Sequence, residues 1–297
     1  MIRLSAMLPL LLLAACGGPA ERQGPAVHVY ATEDDPAGLQ PLLSAFTDET
    51  GIPVSFEWGN SSDNTDRLIG KSGRPADVLI TDNVVDIWRT AEEGALRPIT
   101  SAALETVDPH LRDPDRYWSA LHRRFIAIAV SPSANIQTSG GYDDLGAPSY
   151  NGKLCLSSVE NSVNRALIAM LIVDLGLKNT ERLVRSWMMN LSRPPFETEE
   201  QLLAALTSGT CEYGVVSDTL IPKDGMLRIG PVPLYADISA IGVGRHATQP
   251  ERAQQLVDWI LREHPPAGLA EWNGRNISVV GARDEDARKL AERVRYR

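Results

Sequence analysis

The chain has 297 residues, 43% hydrophobic and 23% charged, with a formal net charge of −9 and a pI of about 5.1. That acidity argues against a nucleic-acid partner, because a net-negative surface repels a polyanion, and the apolar content excludes a disordered chain. The length allows one large or two medium domains with ample core.

Arg3 precedes an apolar run from Leu8 to Ala15, which ends at Leu13-Ala14-Ala15-Cys16-Gly17. A positive start, a short apolar core and small residues before the cut have the form of a secretory signal, too short for a membrane span. The Leu-Ala-Ala-Cys ending resembles the bacterial lipobox, whose cysteine becomes the lipidated N-terminus. An ordinary signal peptide with an incidental cysteine is the plain alternative, and the lipoprotein is favoured because the apolar core ends directly at the motif. Residues 1–16 are then a lipoprotein signal peptide ending at lipidated Cys16, and residues 17–26 a tether rich in Gly, Pro and charge. This places the mature chain in the periplasm or on the cell-envelope exterior, held to a membrane by its lipid. Export leaves Cys155 and Cys211 as the remaining pair in a compartment where disulfides persist, so a bond between them is expected over two buried free thiols. No later apolar run is long enough to span a membrane.

Val27 to Tyr30 reads as a strand, followed by Glu33, Asp34 and Asp35. Pro41 to Thr50 sets Leu42, Leu43 and Phe46 on one helical face and closes at Gly51. Ile52 to Trp58 alternates as a strand, Asn64 to Gly70 suits a short helix, and Ala76 to Ile80 is an apolar strand interrupted by Asp77. Thr81-Asp82-Asn83 opens a helix that carries Ile87 and Trp88 and ends at Gly94. Strand and helix alternate in this way through roughly the first hundred residues, which predicts parallel crossovers.

From Tyr117 the pattern loosens, although Phe125 to Val130 is a strongly apolar strand broken by Pro132. Lys153 to Leu156 is a short strand that delivers a polar turn onto a helix running through Ala166 to Leu175. Ser157, Ser158, Asn161 and Ser162 are all capping types, and a turn onto a helix N-terminus favours anions; an ordinary capped helix is the alternative. Asn179 to Asn190 is helical, Leu191 to Phe196 strand-like, and Glu199 to Ser208 an amphipathic helix stopped by Gly209. Tyr213 to Val216 is a strand ending at Ser217-Asp218-Thr219. Ile238 to Val243 is another strand, Pro250 to Glu263 another helix, and the charged tail is helical. Two α/β blocks result, residues 27–122 plus 238–297 and residues 123–237, and they predict two lobes with a cleft between them.

Several ordered stretches resemble one family. They are Val29-Tyr30, Ala45-Phe46-Thr47, Thr50-Gly51-Ile52-Pro53-Val54, Pro75 to Thr81, Ile87-Trp88-Arg89, and Glu93 to Pro98. His110 to Asp115, Gly152 to Cys155, Gly209 to Glu212, Gly242-Val243 and His246-Ala247 continue the match. The family is the periplasmic ferric-iron-binding proteins of ABC importers, within the extracellular solute-binding superfamily. The resemblance implies a two-lobed α/β fold of the type II periplasmic-binding-protein kind, with a ligand cleft between the lobes. It implies a monomer that hands its solute to an importer permease in the inner membrane, and its pattern also places cysteines at Cys155 and Cys211. The chain departs from the family at the tyrosines that hold Fe³⁺, since Thr32-Glu33-Asp34-Asp35, Val163 and Thr219-Leu220 stand in their places. Tyr213 and Tyr235 are nearby in sequence but off the motif.

Two ligand chemistries stay open. Glu33, Asp34, Asp35, Asp82 and Asp218 fall at strand C-termini, where ligands bind in α/β sheets, and oxygen donors suit hard cations, Fe³⁺ among them. A small organic or anionic solute would instead use helix N-termini at Asp82–Val84 and Asn161–Asn164, aided by Arg123 and Arg124. Solvated loop carboxylates and a salt-bridged strand edge are the plain alternatives. The expected cleft set is therefore Glu33, Asp34, Asp35, Asp82, Asn83, Arg123, Ser158, Asn161, Ser162, Asn164, Ser217, Asp218 and Thr219, with no covalent cofactor. The five histidines show no H-E-x-x-H spacing, and neither a G-x-S-x-G elbow nor a phosphate loop occurs. These point to a binding protein rather than an enzyme; a ligand-sensing or structural envelope protein is the alternative role.

Overall fold

The computed structural model describes residues 24–32, 36–134, 140–266 and 276–297. Strand β1 (Val27–Thr32) is buried along its length and lies parallel between β2 (Val54–Gly59) and β3 (Val78–Thr81). The crossovers are α1 (Pro36–Thr50) and α2 (Ser61–Gly70). Helix α1 begins at Pro36, so Pro41 lies inside it rather than at its start. Gly51 closes the helix at φ 71°, a left-handed conformation that favours glycine. Helix α2 likewise starts before Asn64, because the Asn60 side chain accepts the Ser62 N–H at 2.9 Å and the Asp63 N–H at 3.3 Å. Asn83 caps α3 (Val84–Glu92) by accepting the Asp86 N–H at 2.9 Å.

After the short β4 (Leu96–Arg97), the strand expected at Phe125–Val130 begins earlier, as β5 running from Trp118 to Val130 with a register shift between Ala120 and His122. Its first part pairs antiparallel with β9 (Ala236–Gly244), which in turn pairs with β3. Its second part, from Ile126, pairs with β7 (Tyr213–Ser217) and β8 (Leu227–Ile229). The strand is buried at both ends and polar at His122-Arg123-Arg124, where it passes from one set of partners to the other. Each set, with its helices, forms a lobe. Strand β6 (Leu154–Cys155) lies parallel to β7. Cys155 on β6 and Cys211 just before β7 are thereby brought to a Cα–Cα distance of 5.9 Å and are bonded. Leu191 to Phe196 makes only isolated bridges at its two ends, since Pro194 and Pro195 offer no N–H to a ladder.

Helices α4 (Ser162–Leu175), α5 (Leu177–Asn190) and α6 (Glu199–Thr207) cover the second lobe, and α7 (Pro250–Glu263) the first. The charged tail forms α8 (Ser278–Val294), which packs on α3 of the first lobe and on α4 and α5 of the second. At its start, the Ile277 N–H donates to His110 O at 2.9 Å, and Gly281 lies so close to the Trp88 ring that a Cβ there would meet it at 2.4 Å. Further on, Asp284 pairs with Arg165 of α4 at 3.0 Å, Arg293 with Glu181 of α5 at 2.9 Å, and the Tyr296 hydroxyl donates to Ser157 O at 2.8 Å. Sequence grouping assigned these residues to the first lobe alone, yet α8 ties the two lobes together. No helix among the described residues is long and apolar enough to cross a membrane.

Candidate functional site

The cleft opens where β5 and β9 pass between the lobes, and it has two chambers. One, of about 580 Å³, is bordered by Thr32, Asp82, His122, Arg123, Glu199 and Leu220. The other, of about 400 Å³ and more polar, is bordered by Ser61, Ser62, Asn83, Glu160, Ser162 and Arg165. Asp82, Arg124, Asn161 and Glu199 belong to both. The starts of α2, α3, α4 and α6 all border this space, so positive dipole ends gather there.

Arg124 is the hub. Its guanidinium donates to the Asp82 main-chain oxygen and to Ser162 Oγ at 3.4 Å, and lies 3.6 Å from the Asp237 carboxylate. One side chain thus touches the turn after β3, the start of α4 and strand β9. Its Nε is buried without a hydrogen-bond partner. Asp237 is 1% exposed, and its Oδ1 accepts the Val84 N–H at 3.1 Å and its own neighbour's N–H, that of Ile238, at 2.8 Å. Burial pushes its pKa up, and the Arg124 charge opposes this. Glu199, at the start of α6, accepts the Ser217 N–H at 2.5 Å and its hydroxyl at 3.2 Å. Burial raises this carboxyl too, against the pull of the Ser217 N–H and of Arg124.

The structure brings together part of the expected set. Asp82, Arg123, Asn161, Ser217 and Thr219 border the first chamber, and Asp82, Asn83, Asn161 and Ser162 the second. Arg123 also stacks its guanidinium 4.0 Å from the Phe125 ring centroid. Other residues are turned away. Asn164 is buried, donating its amide to Ser157 Oγ at 2.8 Å, and Ser158 Oγ accepts the Glu160 N–H at 3.2 Å. Asp218 accepts the Phe125 N–H at 2.8 Å and pairs with Arg228 at 3.2 Å, so it fastens its turn to β5 and β8. Asn161 does not cap α4 with its side chain, which donates to Glu197 O at 3.2 Å. Glu33, Asp34 and Asp35 lie outside the described residues.

Sequence reasoning missed Glu199, Asp237, His122 and Ser61 as groups in or behind the cleft. An acid inside the apolar run 236–243 was a readable sign of the second.

All seven tyrosines are described, and none borders either chamber. Tyr213 is fully buried, with its ring edge-on to Tyr150 at 4.8 Å. Tyr235 stacks on Tyr142 at 5.4 Å and donates its hydroxyl to Asp174 at 2.5 Å. Neither stands in for the missing phenols. Among the described residues no group of three or more His, Cys, Asp or Glu side chains is placed to hold a metal ion.

Comparison with known proteins agrees with this architecture. Residues 27–264 match the sequence profile described as bacterial extracellular solute-binding protein. Iron uptake protein A1 of Synechocystis sp. is 25% identical over 291 residues, covering 88% of this chain and 80% of that one. The Fe(3+)-binding periplasmic protein of Serratia marcescens is 23% identical over 303 residues, covering 95% and 88%. Among solved structures, Trichodesmium IdiA (FutA) in complex with iron and citrate superposes with a TM-score of 0.81 at 24% identity, covering 92% of this chain and 100% of that one. Apo ferric ion-binding protein A of Pasteurella haemolytica gives 0.81 at 22%, covering 91% and 98%. The structural likenesses show the two-lobed fold.

Proposed function

The chain belongs to the bacterial extracellular solute-binding protein family, and from that premise we propose that it captures a small solute bearing anionic oxygen atoms and delivers it to an ABC importer permease. The observation that carries the reading is Arg124, a cation common to both chambers whose Nε is buried and unpaired. Guanidinium groups and helix N-termini together recognise carboxylate and phosphate oxygens. One relative is an iron uptake protein and another an Fe(3+)-binding periplasmic protein. With no phenol bordering the cleft, iron enters here as a chelate, its hard cation held by the carboxylates of a carried organic acid. Arg124 then binds the acid rather than the metal, and the lobes close over the whole. Cys16, outside the described residues, anchors the exported protein by its lipid.

Adding ferric citrate to the iron-free protein should give binding heat without the visible charge-transfer band of phenolate on Fe³⁺. Arg124→Gln should weaken that binding about 10- to 100-fold, the size of one hydrogen bond to a charged group. A strong visible band, with affinity unchanged in Arg124→Gln, would restore direct ferric ligation and overturn the reading. For the anchor, Cys16→Ser should move the protein from the detergent-extracted membrane fraction to a soluble or unprocessed form. Unchanged fractionation would remove the lipid from the account.

A further inference from the structure

The strand register sets Arg124 of β5 directly opposite Asp237 of β9, on the two strands that pass between the lobes. Asp237 is 1% exposed, and its two oxygens differ. Oδ1 accepts two main-chain N–H groups, while Oδ2 has no hydrogen-bond partner and faces Arg124 at 3.6 Å. A buried carboxylate with one bare oxygen is stable as an anion only while a cation stands beside it.

The groups that bear on it are few. Arg124 approaches from β5, Asp82 from the turn before α3, and the N-terminal Val84 N–H from α3 itself; Glu199 faces Arg124 from α6. Arg124 is the one cation in this set, and it is also the residue on which the proposed solute would settle.

We infer that Asp237 is a positioning residue that competes with the solute's anionic oxygen for Arg124, so that capture is accompanied by uptake of one proton onto Asp237. The inference rests on the anionic-oxygen reading of the cleft. When a solute oxygen engages Arg124, the carboxylate loses the use of that charge and gains a like charge nearby. Both changes favour its protonated form. The proton comes from solvent and forms the O–H of a carboxylic acid, and no other bond is made or broken. Burial, which already pushes Asp237 up, works in the same sense.

The sign of the pH dependence follows. The proton affinity of Asp237 is higher in the loaded than in the empty protein. Solute affinity is therefore greatest below the empty-state pKa, and falls by up to about tenfold per pH unit as pH rises towards the loaded-state pKa.

The test is calorimetric titration of citrate, with and without equimolar ferric ion, at about pH 6 and about pH 8 in two buffers of different ionisation enthalpy. Wild type should take up about one proton more per site than Asp237→Asn, since subtracting the variant removes citrate's own titration. Asparagine keeps an oxygen for the Val84 and Ile238 N–H groups, and leaves Arg124 unopposed, so Asp237→Asn should bind about as tightly at the higher pH as at the lower once citrate's own titration is removed. Glu199→Gln should retain the extra proton, which separates the two acids. Should Asp237→Asn fail to fold, infrared difference spectra of wild type must show a new protonated-carboxyl band on loading. Binding with equal proton counts in wild type and Asp237→Asn, or with no such band, would overturn the inference alone. No binding of either probe by wild type would overturn the anionic-oxygen reading and the inference with it.

Discussion

Asp284→Ala is expected to lower the unfolding free energy by about 3–5 kcal/mol, the cost of leaving one partner of a buried ion pair uncompensated. Asp284 is 9% exposed and Arg165 8%. The carboxylate holds Arg165 Nε at 3.0 Å with one oxygen and Arg288 Nε at 3.1 Å with the other. Without it, Arg165 keeps only the Glu160 main-chain oxygen at 2.9 Å and a Glu160 carboxylate at 3.6 Å whose side chain is 81% exposed. Water screens that second contact, so it offsets little of the loss. Urea unfolding with an unchanged m-value should show the fall as a lower midpoint. Replacing both partners together with apolar residues of similar volume should recover much of the loss, because the desolvation of two charges disappears with them. A midpoint shift worth less than about 1 kcal/mol for Asp284→Ala would mean that water enters this contact freely.

The second large effect belongs to the disulfide. Removing the Cys155–Cys211 bond should cost about 2–4 kcal/mol, towards the upper end because the bond spans 56 residues and so restricts the unfolded chain strongly. Both sulfurs lie in a small apolar cluster with Phe196, Leu202 and Leu206, so Ala is the cleaner substitution and Ser would add a buried hydroxyl. The double Ala variant and the reduced wild type should unfold at similar, lower urea concentrations. In unreduced, unfolded protein neither cysteine should react with an alkylating reagent. Full alkylation, or a midpoint indifferent to reductant, would show that the bond is not formed.

Most elements of the fold are legible because apolar periodicity and caps agree with one another: α7 spans Pro250–Glu263 in both accounts, and the strands around Val29, Leu79 and Val216 fall where β-branched residues cluster. Boundaries move where a side chain acts on the backbone, as Asn60 does in starting α2 early. The first part of β5 goes unread in the sequence because it leads into His122-Arg123-Arg124, and polar residues in a strand look like a loop until the strand is known to cross a cleft. The same blindness governs the site. Glu199 reads as the first turn of a surface helix, and only the fold shows that this turn points at Ser217 and the cleft. Asn164 and Asp218 have the right chemistry at the right place along the chain. Each is spent on its own neighbourhood, an orientation that local sequence does not encode.

The two-lobe embrace of α8 also orders events in time. Ser157 and Tyr296 meet across 139 residues of chain. The second lobe's helix α4 stays without Asp284 and its other α8 partners until residues 278–296 have been made. A growing chain that holds everything through α7 is still unsealed on that side, with Arg165 and the α4 face open to water. Such a polypeptide stays loose until late in synthesis, because contacts so distant in sequence form slowly and only after the intervening loop has closed. On the export proposed above, lateness of this kind keeps the chain fit to cross a membrane unfolded.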